Sequence, residues 1–294
     1  MSKLAFVFPG QGSQQLGMLA DVAEQYPLIR QTFGEASDAL NVDLWKLCQE
    51  NETELNKTEN TQPVLLTASI ALWRVWQAFE GAKPDYLAGH SLGEYSALVA
   101  SGVMSLADGV RLVALRGRLM QQAVPMGLGA MAAILGLEDE KVEEICASIN
   151  EVVVAANYNC PGQLVISGSI EGVNEACAKM TEAGAKRALV LNVGGAFHSP
   201  LMEPARVELE AAIKATTFNT PICPVYQNVN ALPTTDPATI QANLIAQLTG
   251  AVRWTQTVKA MIADGASSFT EVGPGTVLQG LVKKVDRQMP TASA

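Results

Sequence analysis

The sequence predicts an α/β fold: a large α/β domain interrupted by a small second domain. Three observations carry this. Short apolar runs that end in Gly or Pro alternate with longer runs of helical period, which favours a sheet covered by helices. The stretch from about residue 128 to 192 instead reads strand, helix, strand, strand, helix, strand. That split order is the ferredoxin-like βαββαβ unit. With 294 residues, 48% of them hydrophobic, the chain can bury a core of this size. The predicted domains are therefore 1–127 with 193–294, and an inserted 128–192.

The elements follow in order. Lys3–Phe8 is a short apolar strand stopped by Pro9-Gly10. Pro63–Phe79 has apolar residues at helical spacing. Tyr86–Gly89 is a strand, Glu94–Ala100 a helix and Leu106–Ala123 a second helix. In the insert, Ala130–Leu135, Val152–Asn157, Gln163–Ser167 and Arg187–Leu191 read as strands, with helices at Asp139–Ile149 and Gly172–Ala183. A Cys-Pro-Gly turn, Cys160–Gly162, joins the middle pair. The rest reads as helix Pro204–Ala215, strand Val225–Val229, helices Thr239–Leu248 and Thr255–Asp264, strand Ser268–Val272 and a last helix.

Composition excludes several classes. Net charge is −9 and no basic run suits nucleic acid. No run of about 18 uncharged apolar residues suggests a membrane span, and the N-terminus does not read as a signal peptide. The five cysteines are scattered without a CxxC pair, and there are two histidines, so neither a zinc site nor a disulfide framework is expected. A reduced, cytoplasmic protein is the expectation.

"AGHSLGE", Ala88–Glu94, fits G-x-S-x-G between a strand and a helix. In that motif the serine sits on a sharp corner, and the helix N-terminus aims free N–H groups at an adjacent oxyanion. Ser91 is therefore the candidate nucleophile, the alternative being a plain glycine-rich turn. A serine nucleophile needs a base. Strand alternation sends His90 to the opposite side, packed under the elbow. That leaves His198, in "GGAFHSPLM", with a core-capping role as its alternative. No acid stands out as a third member; a backbone or amide carbonyl would serve to orient His198.

In Leu106–Ala123, Leu112, Val113, Leu119 and Met120 form one apolar arc at about 100° per residue, and Arg116 falls inside it. A core-facing guanidinium needs an anionic partner. Either one of the chain's own acids supplies it, or a substrate carboxylate does, held by bidentate hydrogen bonds. The loop "FPGQGSQ" after the first strand looks like a phosphate cradle. However, a dinucleotide fingerprint needs glycine where Gln15 stands, and a Walker loop needs Gly-Lys.

"FPGQGSQ", "GHSLGEYSAL", "RLVALRGRLMQ", "AFHSPLM" and "EVGPG", in this order, resemble the malonyl-CoA:acyl carrier protein transacylases of type II fatty acid synthesis. The likeness runs to about Lys284. It implies an α/β-hydrolase-like large domain with the ferredoxin-like insert. It also implies malonyl transfer from coenzyme A to the phosphopantetheine thiol of acyl carrier protein, with no resident cofactor or metal. By the same resemblance Ser91 carries the malonyl group and His198 is its base. Gln11 and the Leu92 N–H form the oxyanion hole, Arg116 holds the malonyl carboxylate, and the Gln247 carbonyl orients His198. Phe197 resembles the malonyl-selective branch. Lys186 and Arg187 resemble phosphate contacts of the family, a solvated strand end being the alternative. Gln163 and Asn159, in "NYNCPGQ", would line the gorge between domains, Asn159 alternatively serving the turn. Two segments depart from the pattern. Gly250-Ala251 stands where many members have Asn-Pro, which bears on where the Gln247 carbonyl points. Gly194-Gly195-Ala196 stands where many have Ser and often Pro, which bears on rigidity beside His198.

Overall fold

The computed structural model describes residues 2–79 and 81–294. These residues form ten strands in two sheets. In chain order the strands are β1 (Lys3–Phe8), β2 (Tyr86–Gly89), β3 (Gly129–Leu135), β4 (Val153–Cys160), β5 (Gln163–Ser169), β6 (Arg187–Val190), β7 (Val225–Tyr226), β8 (Pro233–Thr234), β9 (Ala266–Glu271) and β10 (Thr291–Ser293).

The larger sheet runs β10-β9-β1-β2-β7-β8. Neighbours from β10 to β7 are parallel, and β8 turns back antiparallel on β7. Both faces of its central strand are buried, as a parallel sheet requires. Phe6 and Phe8 pack on one face with Val64, Leu65 and Leu98. Ala5 and Val7, on the other, meet Trp254, Val258 and Leu278. Helices Thr58–Ala78 and Leu106–Ala123 therefore cover one side, and Trp254–Ala263 and Val277–Val285 the other.

The smaller sheet runs β4-β5-β3-β6 with every pair antiparallel. Helices Asp139–Ala147 and Ile170–Glu182 cover one face through Val142, Ile145, Val173 and Met180, against Ala132, Ile134 and Ile166. Met131 and Val165 point to the other face and join the core of the large sheet's helices. β4 is stitched directly to the large sheet's side of the chain: Tyr158 N–H donates to Val252 O at 2.9 Å, and Val252 N–H to Ala156 O at 2.8 Å. Among the described residues no helix is long and apolar enough to cross a membrane.

Several elements differ from the sequence expectation. The helix read from Pro63 starts at Thr58, because a proline near a helix start forfeits one hydrogen bond and the turn before it is held by burial of Thr61 and Gln62. The helix read from Glu94 starts at Leu92, directly after the serine. The strand read to Val229 stops at Tyr226: Gln227 N–H bonds Leu232 O, and Asn228 N–H turns to the Glu94 carboxylate. β4 continues to Cys160 through two register shifts.

Glycines let the elbow sit against the sheet. A Cβ on Gly93 would stand 2.0 Å from Phe8 O, and one on Gly89 1.8 Å from Gly93 O. Backbone cannot yield as a side chain does, so Gly93→Ala should lower stability by about 3 kcal/mol. Gly34→Ala, whose Cβ meets nothing within 4 Å, is the control. The thermal unfolding midpoints of the two variants check this; equal midpoints would refute the close approach.

Candidate active site

Ser91 lies between the end of β2 and the helix Leu92–Ala100, at φ 54° and ψ −109°. Few L-residues adopt such a conformation unless their surroundings impose it. Here Gly93 N–H donates to His90 O at 2.9 Å, and His90 N–H to Phe8 O at 3.0 Å. Leu92 is the first helical residue, so its N–H precedes any intrahelical acceptor and stays free for another oxygen.

His198 arrives from the loop after β6. It also has positive φ, 55°, and is 3% exposed. Its Nε2 lies 2.6 Å from Ser91 Oγ, and its Nδ1 lies 2.9 Å from the Gln247 carbonyl oxygen. A carbonyl only accepts, so Nδ1 carries the hydrogen and Nε2 is left to accept from the serine hydroxyl. Burial lowers the His198 pKa to about 3, with the Arg116 charge adding to the effect. The imidazole is therefore neutral near pH 7. The Gly250-Ala251 departure leaves this geometry intact, because Gly250 N–H donates to Ala246 O and Val252 is bound to β4.

Arg116 is 1% exposed. Its Nη1 donates to Gln62 Oε1 at 2.9 Å, and Nη2 donates to Gln247 Oε1 at 2.9 Å and to Ser91 Oγ at 3.1 Å. The Tyr95 ring lies 5.3 Å from its guanidinium carbon. Among the described residues Nε has no acceptor, and no carboxylate forms an ion pair with Arg116. The structural salt bridge is thus not found. A buried, amide-held guanidinium is presented next to the serine instead.

Ser91, Arg116 and His198 line a cavity of about 490 Å³ between the two sheets, together with Gln11, Leu92, Asn157 and Phe197. Phe197 is 6% exposed, and a Cβ on Gly195 would stand 2.4 Å from its ring. Gly194 O accepts from Gln121 Nε2 at 3.0 Å, which ties down the glycine pair beside His198. The Gln11 amide is turned aside, donating to Thr58 Oγ1 at 3.4 Å. Strand alternation holds at His90: with Ala88 it faces the Trp254 side of the large sheet, opposite the side on which Leu87 and Leu92 pack. His90 also borders the cavity. Its Nε2 lies 2.8 Å from Asn159 Oδ1, and its ring centre 5.6 Å from that of Trp254. Asn159 therefore borders the cavity through His90.

Lys186, Arg187 and Gln163 are not brought to Ser91. Arg187 pairs with Leu135, and Leu135 with Gln163, at the far end of the small sheet. Met131, which does line the cavity, lies four residues back along β3, about 13 Å at the usual rise. Lys186 and Arg187 are exposed.

Three site residues escaped the sequence reading. Gln62 holds Arg116. Asn228 holds the elbow, accepting from Ser91 N–H at 2.8 Å and donating to Gly89 O at 2.7 Å. Glu94, 0% exposed, accepts from Asn228 N–H at 2.8 Å, and burial pushes its pKa up to about 7. The final Glu of "GHSLGE" was the only available signal.

A neutral histidine on a strained serine, at the N-terminus of a helix, defines a nucleophilic acyl-transfer site. The profile of the acyl transferase domain family matches residues 5–294, and the chain belongs to that family. Within it, the chain is similar to proteins named malonyl CoA-acyl carrier protein transacylase. That of Escherichia coli strain K12 is 52% identical over 297 residues, covering 100% of this chain and 96% of the relative. The crystal structure of an acyl carrier protein S-malonyltransferase from Vibrio cholerae O1 superposes with TM-score 0.97 at 51% identity, covering 100% and 97%. A malonyl-transacylase solved in complex with its type II PKS acyl-carrier protein gives TM-score 0.97 at 47% identity, covering 100% and 96%.

Proposed function

We propose that this chain moves a malonyl group from coenzyme A to the phosphopantetheine thiol of acyl carrier protein, through a malonyl ester on Ser91. The observation that carries the reading is the unpaired Arg116 guanidinium 3.1 Å from the Ser91 hydroxyl. A simple hydrolase of neutral esters has no use for it. In this reading Ser91 Oγ attacks the thioester carbonyl while His198 Nε2 takes its proton. The Gln247 carbonyl steadies the imidazolium. The C–S bond breaks, and His198 returns the proton to the leaving thiolate. The carrier thiol then repeats the sequence in reverse, in ping-pong order. The Leu92 N–H and the Gln11 amide receive the developing oxyanion, which requires Gln11 to leave Thr58. Such a donor contributes about 3 kcal/mol.

The Arg116 guanidinium takes the malonyl carboxylate, and the Phe197 ring crowds an α-methyl substituent. A methyl in such a pocket changes transition-state binding by about 1–3 kcal/mol. Coenzyme A enters as substrate, and Ser91 itself carries the acyl group, so no resident cofactor takes part. Lys186 and Arg187 belong in this scheme to recognition of the phosphates of coenzyme A or carrier, away from the reacting atoms, with Gln163 beside them. The large sheet's parallel core supports an α/β-hydrolase-like domain over 1–127 and 193–294. The β4-β5-β3-β6 order supports a ferredoxin-like domain over 128–192. The setting is cytoplasmic fatty acid synthesis.

Intact mass tests the reading. Mixed with malonyl-CoA, the protein should gain one malonyl group, and Ser91→Ala should gain none. Added holo acyl carrier protein should remove the group and carry it. Loss to water at the same rate without carrier would make the chain a thioesterase.

A further inference from the structure

The polar groups behind the elbow are wired in one direction. Asn228 is fully buried, and its carboxamide spans the strained turn from Gly89 O to Ser91 N–H. Both partners are peptide groups of fixed character, so they decide which end of the amide is oxygen. That oxygen also faces Gln247 Nε2 at 3.2 Å. Gln247 must then turn its NH₂ toward Asn228, toward Ser91 O at 3.0 Å and toward Glu94 Oε2 at 3.3 Å. Its own oxygen is left facing Arg116 Nη2. The same residue's backbone carbonyl holds His198. The peptide groups around Ser91 thus set the polarity of the acceptor that holds the guanidinium.

We propose that Asn228 is a positioning residue: it holds the Ser91 elbow and, through the Gln247 carboxamide, orients Arg116. It does so from behind, without lining the cavity. Glu94 fixes it in turn by accepting its backbone N–H. The proposal rests on the functional reading of Ser91 and Arg116 given above.

Asn228→Asp provides a test that a space-filling role would not pass. An ionised Asp can still accept from Ser91 N–H but has no hydrogen for Gly89 O. A protonated Asp has both and mimics the amide. The titratable and charged groups around this network, among the described residues, are His90 inside the turn, Glu94 and Tyr95 from the elbow's helix, Arg116, His198 and Arg253. All remain in the variant, so its rate is read as a ratio to wild type at each pH.

Single-turnover malonylation of Ser91, followed by intact mass, is expected to fall at least about tenfold in Asn228→Asp near about pH 8. The ratio should recover severalfold by about pH 5.5. Asn228→Ala should lose as much without recovering in acid. Both should prefer malonyl-CoA over acetyl-CoA less than wild type does. Circular dichroism first confirms that each variant is folded. A folded variant with the wild-type rate near about pH 8 overturns the proposal, and so does an Asn228→Asp ratio that is flat with pH. If Asn228→Asp does not fold, the rate of Asn228→Ala decides. Wild-type protein that takes no malonyl group at all would instead overturn the functional reading.

Discussion

Replacing Arg116 with alanine is expected to cut malonyl transfer by about 10²-fold or more, while acetyl loading stays within about tenfold of wild type. On the proposed reading, the variant would forgo charge-assisted hydrogen bonds to the malonyl carboxylate, each worth about 1.5–3 kcal/mol in a buried site. The acetyl group has no carboxylate, so its transition state never drew on them. The guanidinium does reach Ser91 Oγ at 3.1 Å, which leaves a smaller effect common to both substrates. The measurement is the ratio of kcat/KM for malonyl-CoA and acetyl-CoA in wild type and variant. An unchanged ratio would show that Arg116 does not read the malonyl carboxylate. Lysine would not rescue the loss, since a point charge cannot reproduce the fork that now spans Gln62, Gln247 and Ser91.

The parts of this site that could be read from sequence are those with a local signature. Ser91 announces itself by flanking glycines at fixed spacing. His198 follows by elimination, because the chain has two histidines. Arg116 stands out as a charge inside an apolar arc, although the arc alone left open which anion it serves. Asn228 has no such signature. "VYQNV" reads as one more strand, and what gives its asparagine a task is a partner 137 residues away. Gln62 is hidden similarly, in the first turns of a helix whose start was obscured by Pro63. In the fold, the apolar strands and the βαββαβ order were legible because burial writes itself into periodicity. The two-residue β8 and three-residue β10 are too short to carry a period. The resemblance suggested Lys186 and Arg187 as phosphate contacts, a role that asks only for an exposed place away from Ser91, and register puts them at the end of β3 remote from Met131.

Replacing His198 with alanine should slow Ser91 acylation by about 10³-fold, the scale of general base catalysis, and the pH profile of the wild type should reveal how buried that base is. A base works in its neutral form, so its activity is present above its pKa and lost as pH falls through it. An ordinary histidine would lose activity near about pH 6.5. With the His198 pKa lowered to about 3 by burial and the Arg116 charge, acylation should hold well below that point. Glu94 is shifted the other way, up to about 7 by burial, so it changes charge in the range where a catalytic histidine is usually sought. An inflection near neutrality is therefore expected from Glu94, and Glu94→Gln should abolish it while leaving the acid limb in place. If acylation instead halves near about pH 6.5 in both wild type and Glu94→Gln, the imidazole is solvated. The buried Ser91–His198–Gln247 line would then not be the working state of the base.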